Sequence, residues 1–357
     1  MTNESIYRGR RVLLTGHTGF KGSWLALWLR KLGAEVCGVA LPPPTEPAHW
    51  NLLKLDVRSE TADIRDADRL TSIFASFRPE AVFHLAAQPL VRRSYRAPDE
   101  TFEVNVLGTV RVLDACRGCD SVRAIVNVTS DKCYENREWV WGYRENDPVG
   151  GHDPYSASKG CAELVAGAYR RSFFSPDDYG AKHHTLLASC RAGNVIGGGD
   201  WAEDRLLPDL VRAAVRGETV PIRRPEATRP WQHVLEPLGG YLLVGERLLQ
   251  GDRAASGAWN FGPEDEGTMS VREVVEQARK HWPRVEHQIG TERGPHEAGL
   301  LKLDISKARQ MLGWRPVWSA REGIARAMRW YREYYENGRV VSEGDLNAYL
   351  ADREAVG

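Results

Sequence analysis

The chain is 357 residues long, 42% hydrophobic and 27% charged, enough to bury a sizeable core as one large domain or two. Lys plus Arg balances Asp plus Glu at 48 each, which argues against a nucleic-acid or anionic-membrane partner and leaves room for a local phosphate pocket. No apolar run could span a bilayer, no signal-peptide core opens the chain, and six cysteines make no disulfide framework here, so a reducing cytoplasm is expected.

The first predicted strand, RVLLTG (11–16), leads through GHTGFKGSW into a helix-period stretch, KGSWLALWLRKLG (21–33). Gly16, Gly19 and Gly22 stand between them, where glycines let a backbone turn tightly against a pyrophosphate that the helix N-terminus then favours. The spacing is GxxGxxG rather than the ordinary GxGxxG. The second strand, AEVCGVAL (34–41), ends without the acidic residue that would hold an adenosine ribose. Glu35 lies at its beginning, and no Arg stands ready for a 2′-phosphate, so NAD is the expected dinucleotide. Asp63 and Ile64, in TADIRD, end a third strand where an adenine edge could be read. AVFHLAA (81–87) closes a fourth on Ala86 and Ala87, small enough for a cofactor to lie close.

Two more strands, RAIVNVTS (123–130) and HTLLASCRAG (184–193), alternate with helical patterns at 66–77, 102–118 and 158–174. Near-continuous apolar strands alternating with helices predict an α/β fold, a doubly wound parallel Rossmann-type sheet with ligands at the carboxyl ends of its strands. The fifth strand ends on Ser130, Asp131 and Lys132, three successive groups that can move or stabilise a proton. PYSASKGCAE then sets Tyr155 and Lys159 one turn apart on one helical face. An ammonium there would draw the phenol from about 10 towards neutrality, fitting it to take a proton from a sugar hydroxyl as hydride leaves the same carbon. Cys116 and Cys119 form a CxxC without a second ligand pair, so no metal is expected. The second half predicts a smaller lobe with helices over 208–222, 269–282 and 304–314. RRPEATRPWQHV offers Arg229 as a fork for phosphate, and His233 reads as a packed histidine.

Taken together, GxxGxxG, DI, HLAA, VTS and YSASK resemble the extended short-chain dehydrogenase/reductases over almost the whole chain. GHTGFKGSWL, PPPTEP, TSDKCYEN, RAGNVIGGGD, RPWQHVLEPLGGYL and LKLDISKARQMLGWRP are similar, more narrowly, to the CDP-glucose 4,6-dehydratases. The resemblance implies oxidation of a CDP-glucose at C4, loss of water across C5 and C6, and return of the same hydride to C6. It implies that Thr18, Phe20, Lys21, Gln88 and Asn105 join the glycines, Asp63, Ile64, Ala86, Ala87, Tyr155 and Lys159 in holding NAD. By the same resemblance Ser130 bonds the reacting oxygen and Asp131 protonates the departing 6-hydroxyl, for which a carboxyl needs a raised pKa. Lys132 is either a base for C5, its pKa lowered by desolvation beside Lys159, or a charge for the enolate oxygen.

Gln88, Arg191, Asn194 and Arg229 are the implied contacts to the nucleotide sugar. The implied division is a coenzyme domain over 1–190 plus 229–262 and a nucleotide-sugar lobe over 191–228 and 263–357. Pairing through the helix of Asn105 to Cys116 and the helix of Lys159 would give a homodimer or a dimer of dimers. A dehydratase or 4-epimerase acting on a dTDP-, UDP- or GDP-linked sugar is the alternative, and a non-catalytic binding protein on the same fold a third. Asp131-Lys132 speaks against an epimerase, which has no elimination to catalyse. The intact Ser130, Tyr155 and Lys159 speak against a binding protein.

Overall fold

The computed structural model describes residues 5–222, 224–264, 268–290 and 300–356. Arg223, which opens the arginine-rich stretch, and both chain ends lie outside the described residues. Seven strands form the central sheet: β1 Arg11–Thr15, β2 Glu35–Ala40, β3 Arg58–Thr61, β4 Ala81–His84, β5 Ala124–Val128, β6 Leu186–Ala192 and β7 Ala258–Phe261. Their order is β7-β6-β5-β4-β1-β2-β3, every neighbouring pair parallel. The order reverses between β1 and β4, which opens a crevice at their carboxyl ends.

Strand residues alternate between two apolar layers, as the pleat requires. Val12, Leu14, Phe83 and Val126 face helix α1 (Phe20–Lys31) and helix Leu235–Leu249. Leu13, Val82 and Ile125 face α2 (Ala67–Phe77), α3 (Gly108–Arg117) and α4 (Pro154–Ser172). Before α3 the chain is already helical at Pro98–Phe102, and a single π turn, Glu103–Leu107, joins the two segments around the buried Asn105. Such wide turns inside α-helices often mark functional positions.

Three two-stranded sheets and the remaining helices make up the rest. The helix expected over 208–222 is shorter, Leu206–Arg216. Gly217 ends it in the left-handed region, and Thr219–Ile222 pairs as a strand with Glu286–Ile289. The branched Thr219, Val220 and Ile222 beside Pro221 suit an edge strand better than a helix. The expected helix over 304–314 is likewise cut by Gly313, at φ 68°. Helices Ala320–Asn337 and Ser342–Val356 share the core of α1, with Trp28 against Tyr349 and His49 bonded to both Ser23 and Ser342. Among the described residues no helix is long and apolar enough to cross a membrane.

Candidate active site

The glycine turn is a cradle built by close backbone approach. Gly16 adopts φ +78°, donates to the Val39 carbonyl at 2.8 Å, and a Cβ on it would stand 2.8 Å from the Ala86 nitrogen. A Cβ on Gly22 would overlap the Gly16 carbonyl oxygen and lie 2.7 Å from its carbon. Gly19 caps α1 without a side chain, and no acidic residue stands in the first turn. The first N–H groups of a twelve-residue helix are therefore left for an anion, with the positive end of the helix dipole behind them. Thr18 ties the turn to the end of β2 by donating to the Leu41 carbonyl at 2.9 Å. The tip of β2 carries no carboxylate, and Glu35 pairs with Arg11 at the far end of the sheet. This cradle fits the pyrophosphate of a dinucleotide.

The supporting loops are bonded to one another. Thr15 Oγ1 accepts from the Leu85 and Ala86 nitrogens and bonds His84 Nδ1 at 2.8 Å. His84 Nε2 reaches Thr109 Oγ1, which donates to the Asn105 carbonyl. Asn105 Oδ1 accepts from the Gln88 nitrogen at 2.8 Å, and its Nδ2 donates to the Gln88 carbonyl and to Ser158 Oγ at 2.9 Å. One chain of bonds thus fixes the HLAAQ loop against the helix that carries Tyr155 and Lys159. Asn105 spends its side chain here, and Gln88 folds its own amide onto Leu90 and Thr101. Asp63 is likewise occupied: Arg65 binds both of its oxygens and holds its carboxyl below the usual range. Ile64 is buried against the space left by Gly108.

Asp153 caps α4, accepting from the Ser156 nitrogen at 2.9 Å, with Pro154 in the first turn. That start places Tyr155 at the mouth of the site and Lys159 one turn deeper, both buried. The Ser130 hydroxyl acts on the Tyr155 phenol, favouring its ionised form. Burial raises the phenol to about 12, with Ser130 and Arg205 pulling the other way. Proximity of an ammonium, the sequence-based expectation, is outweighed here by desolvation of the phenolate. Burial also lowers Lys159 to about 8, opposed by Glu163 four residues on.

Ser130 Oγ donates to Asp131 Oδ1 at 2.8 Å, and the Lys132 ammonium stands 3.6 Å from the same oxygen. Asp131 is 1% exposed, whereas the Lys132 side chain is 34% exposed. Lys21, half-buried and 3.4 Å from the Tyr241 hydroxyl, feels Arg205, Lys159 and Lys132 as like charges and Asp131 as the opposite one. Burial first, then Arg205, brings Lys21 down to about 7. Lys132 and Lys21 act with the Asp131 carboxylate, and Arg205 and Lys159 add like charge to Lys21, a setting that favours an anion or a developing oxyanion.

Arg191 is not at this cleft surface. Its guanidinium is buried in an ion pair with Glu163 at 2.7 Å, and it donates to the Tyr134 hydroxyl and the Glu145 carbonyl. Expected as a substrate contact, it instead ties β6 to α4, because an arginine facing into the sheet's helical layer needs a buried partner. Asn194 stands at φ +43° just past β6 and lends only its carbonyl, to Gln232. Arg229 lies in the short strand Thr228–Pro230, paired with Met269. Arg205 was not singled out from the sequence, although its position just before a proline-containing helix in the lobe was visible. It acts on both Tyr155 and Lys21 and bridges to Asp200 at 3.6 Å.

Comparison with known proteins identifies relatives of the whole chain. The chain is 50% identical to the CDP-glucose 4,6-dehydratase of Salmonella typhimurium over 356 residues, covering 98% of this chain and 99% of the relative. It superposes on the epimerase Mth375 of Methanothermobacter thermautotrophicus with TM-score 0.81 and 26% identity, over 92% of this chain and 94% of the other. It superposes on the dTDP-glucose 4,6-dehydratase DesIV of Streptomyces venezuelae, a structure with NAD bound, with TM-score 0.77 and 27% identity, over 90% and 97%. The sequence model of GDP-mannose 4,6 dehydratase matches residues 13–327, and the chain belongs to that family.

Proposed function

We propose that this chain is a CDP-glucose 4,6-dehydratase, a lyase that forms CDP-4-keto-6-deoxyglucose and water, a product suited to deoxysugar synthesis. The carrying observation is that Ser130, Asp131 and Lys132 are joined to one another beside the Tyr155 hydroxyl. An epimerase needs only the hydroxyl and the tyrosine–lysine pair; elimination needs further proton-handling groups at C5 and C6. The half-identical CDP-glucose relative supports the choice of base.

The chemistry divides among the residues as follows. The glycine cradle of Gly16, Gly19 and Gly22 would hold NAD, which would supply the store for the hydride moved from C4 to C6. Tyr155 takes the 4-hydroxyl proton, with Ser130 bonding the same oxygen. Before that transfer Lys159 supports Tyr155 as the phenolate, which the 4-hydroxyl proton converts to the phenol, and Arg205 adds charge near it. Oxidation at C4 acidifies the C5 proton, because the carbanion is an enolate. Asp131 then delivers a proton to the departing 6-hydroxyl. Lys132, beside Asp131, is the acceptor for that C5 proton: as the neutral amine it takes the proton, and the ammonium so formed faces the enolate oxygen. Asn194, Arg205 and Arg229 are the proposed contacts to the nucleotide diphosphate. The coenzyme half comprises 1–190 and 229–262, and the nucleotide-sugar half 191–228 and 263–357. Phe102, Leu107 and Leu164, 37%, 53% and 61% exposed on the 98–117 helix and α4, form the proposed homodimer face.

The test is incubation of the enzyme with CDP-, dTDP- and UDP-glucose, with and without added NAD, following product mass and free NADH. Loss of one water from CDP-glucose without net NADH is expected. Water loss from another nucleotide moves the substrate but keeps the chemistry, and an isomer of unchanged mass overturns the dehydratase reading.

A further inference from the structure

Asp131 can sit where it does because residue 193 has no side chain. One carboxylate oxygen, Oδ1, takes the Ser130 hydroxyl and faces the Lys132 ammonium. The other, Oδ2, is equally sealed from solvent and has no hydrogen-bond partner among the described residues. It lies over Gly193, immediately past β6. A Cβ on Gly193 would fall inside the carboxylate, overlapping Oδ2 and Cγ and standing 2.6 Å from Oδ1. All three of the nearest atoms that such a methyl would meet belong to Asp131.

Neither partner can easily retreat. The Gly193 carbonyl accepts from the Gln232 side chain at 3.1 Å, and the Asn194 carbonyl accepts from the Gln232 backbone nitrogen at 3.3 Å. Asp131 has a short side chain in the turn Asp131–Cys133, whose start is fixed by the Lys132 nitrogen donating to Ser130 Oγ. Gly193 does not occupy the left-handed region, so an alanine there meets no torsional obstacle. Filling the space would therefore be relieved mainly by turning the carboxylate out, away from Ser130.

We propose that Gly193 is a positioning residue for the elimination half of the reaction: by leaving the volume that the Asp131 carboxylate fills, it holds the acid beside Ser130 and Lys132. The proposal rests on Asp131 acting as the acid in the reading above. It separates the two halves of the chemistry, since Tyr155 and Lys159 stand on α4 and do not depend on that volume.

The experiment compares wild type, Asp131→Asn, Gly193→Ala and the double variant Asp131→Ala/Gly193→Ala, with CDP-glucose in a single turnover. NADH absorbance reports the oxidation, and product mass reports the loss of water. Gly193→Ala should reach the NADH-bound stage at close to the wild-type rate and lose water about 10²-fold more slowly, the cost of a misplacement of about an ångström. Thermal melting supplies a readout independent of turnover: Gly193→Ala should melt lower, and removing the Asp131 carboxylate in the double variant should restore most of the loss. Should Gly193→Ala alone fail to fold, recovery in the double variant carries the same support. Wild-type partitioning in Gly193→Ala while Asp131→Asn accumulates NADH overturns this proposal alone, as does an additive melting loss in the double variant. No water loss from any nucleotide sugar by the wild type overturns the functional reading, and this proposal with it.

Discussion

Tyr155 is buried and Lys21 half-buried, and the loss of solvent sets what each can do. Tyr155 begins as a firmly protonated phenol, raised to about 12, so its work as a base depends on Ser130, which favours the ionised form, and on charges brought close in the complex. Tyr155→Phe should abolish the first oxidation, and no NADH should appear in a stopped-flow trace. Asp131→Asn should oxidise C4 and then stall, leaving bound NADH and unchanged product mass; normal water loss would remove Asp131 from the acid role. Lys21 carries a cost that can be measured without substrate. Its amine is lowered from 10.5 to about 7 on folding, mainly by burial. Between those values the unfolded chain binds the extra proton, so stability rises with pH across that window and the penalty is complete below about 7. Lys21→Met should therefore stabilise the ligand-free protein, by up to about 4 kcal/mol near pH 6 and by progressively less towards pH 10, in urea titrations. An equal gain at both pH values would show that the amine is not desolvated.

Helix α4 carries its function on one stripe, Tyr155, Lys159 and Glu163, each four residues after the last. The first pair was legible in the sequence, because i, i+4 spacing needs no knowledge of the fold. Glu163 has the same spacing, but its partners Thr129 and Arg191 come from other elements, and only the folded sheet brings them together. The glycine turn and the tip of β5 were legible for the same local reason. Arg191, Gly193 and Arg205 were not, since their meaning lies in contacts across the sheet edge and the cleft. Asn105 was expected at the cofactor; a π turn aims it instead at Gln88 and Ser158, and no periodicity in 102–118 announces that extra residue. The Glu163–Arg191 pair makes a prediction at this scale. Glu163→Gln leaves a buried guanidinium without its counter-charge and should cost about 3–5 kcal/mol in denaturant unfolding. Replacing both residues with methionine should recover most of that loss, as apolar substitution of a buried pair commonly does. If the double variant is no more stable than Glu163→Gln, the pair is not the interaction that joins β6 to α4.

Across the whole molecule, the parallel sheet could be anticipated from alternating strands and helices, whereas the way the C-terminal helices close over α1 could not. That closure runs through Glu236, buried at the start of helix Leu235–Leu249. Its carboxyl accepts from the Val317 and Trp318 nitrogens at 2.9 and 2.8 Å and from the Tyr349 hydroxyl at 3.0 Å. On the opposite layer the exposed Leu107 and Leu164 predict an assembly face, and Leu164→Glu should convert a dimer to a monomer in light scattering while leaving the fold intact. The Glu236 clamp has a pH signature of its own. Burial raises its carboxyl from 4.5 to about 7, so the folded state holds an extra proton between those values. Its contribution to stability is fully present below 4.5 and is lost as pH rises through 7. Asp345, raised from 3.8 to about 6 by burial against the pull of Arg329 and Arg326, adds the same sign over a lower window. Stability should thus fall between pH 5 and pH 7.5, by about 3 kcal/mol at most from Glu236. Glu236→Gln, which keeps an acceptor for one of the two backbone nitrogens but cannot ionise, should lower stability overall yet flatten the upper part of that slope, leaving the part that Asp345 contributes below pH 6. A slope unchanged in Glu236→Gln would place the proton elsewhere and leave the clamp as a set of hydrogen bonds without a titration.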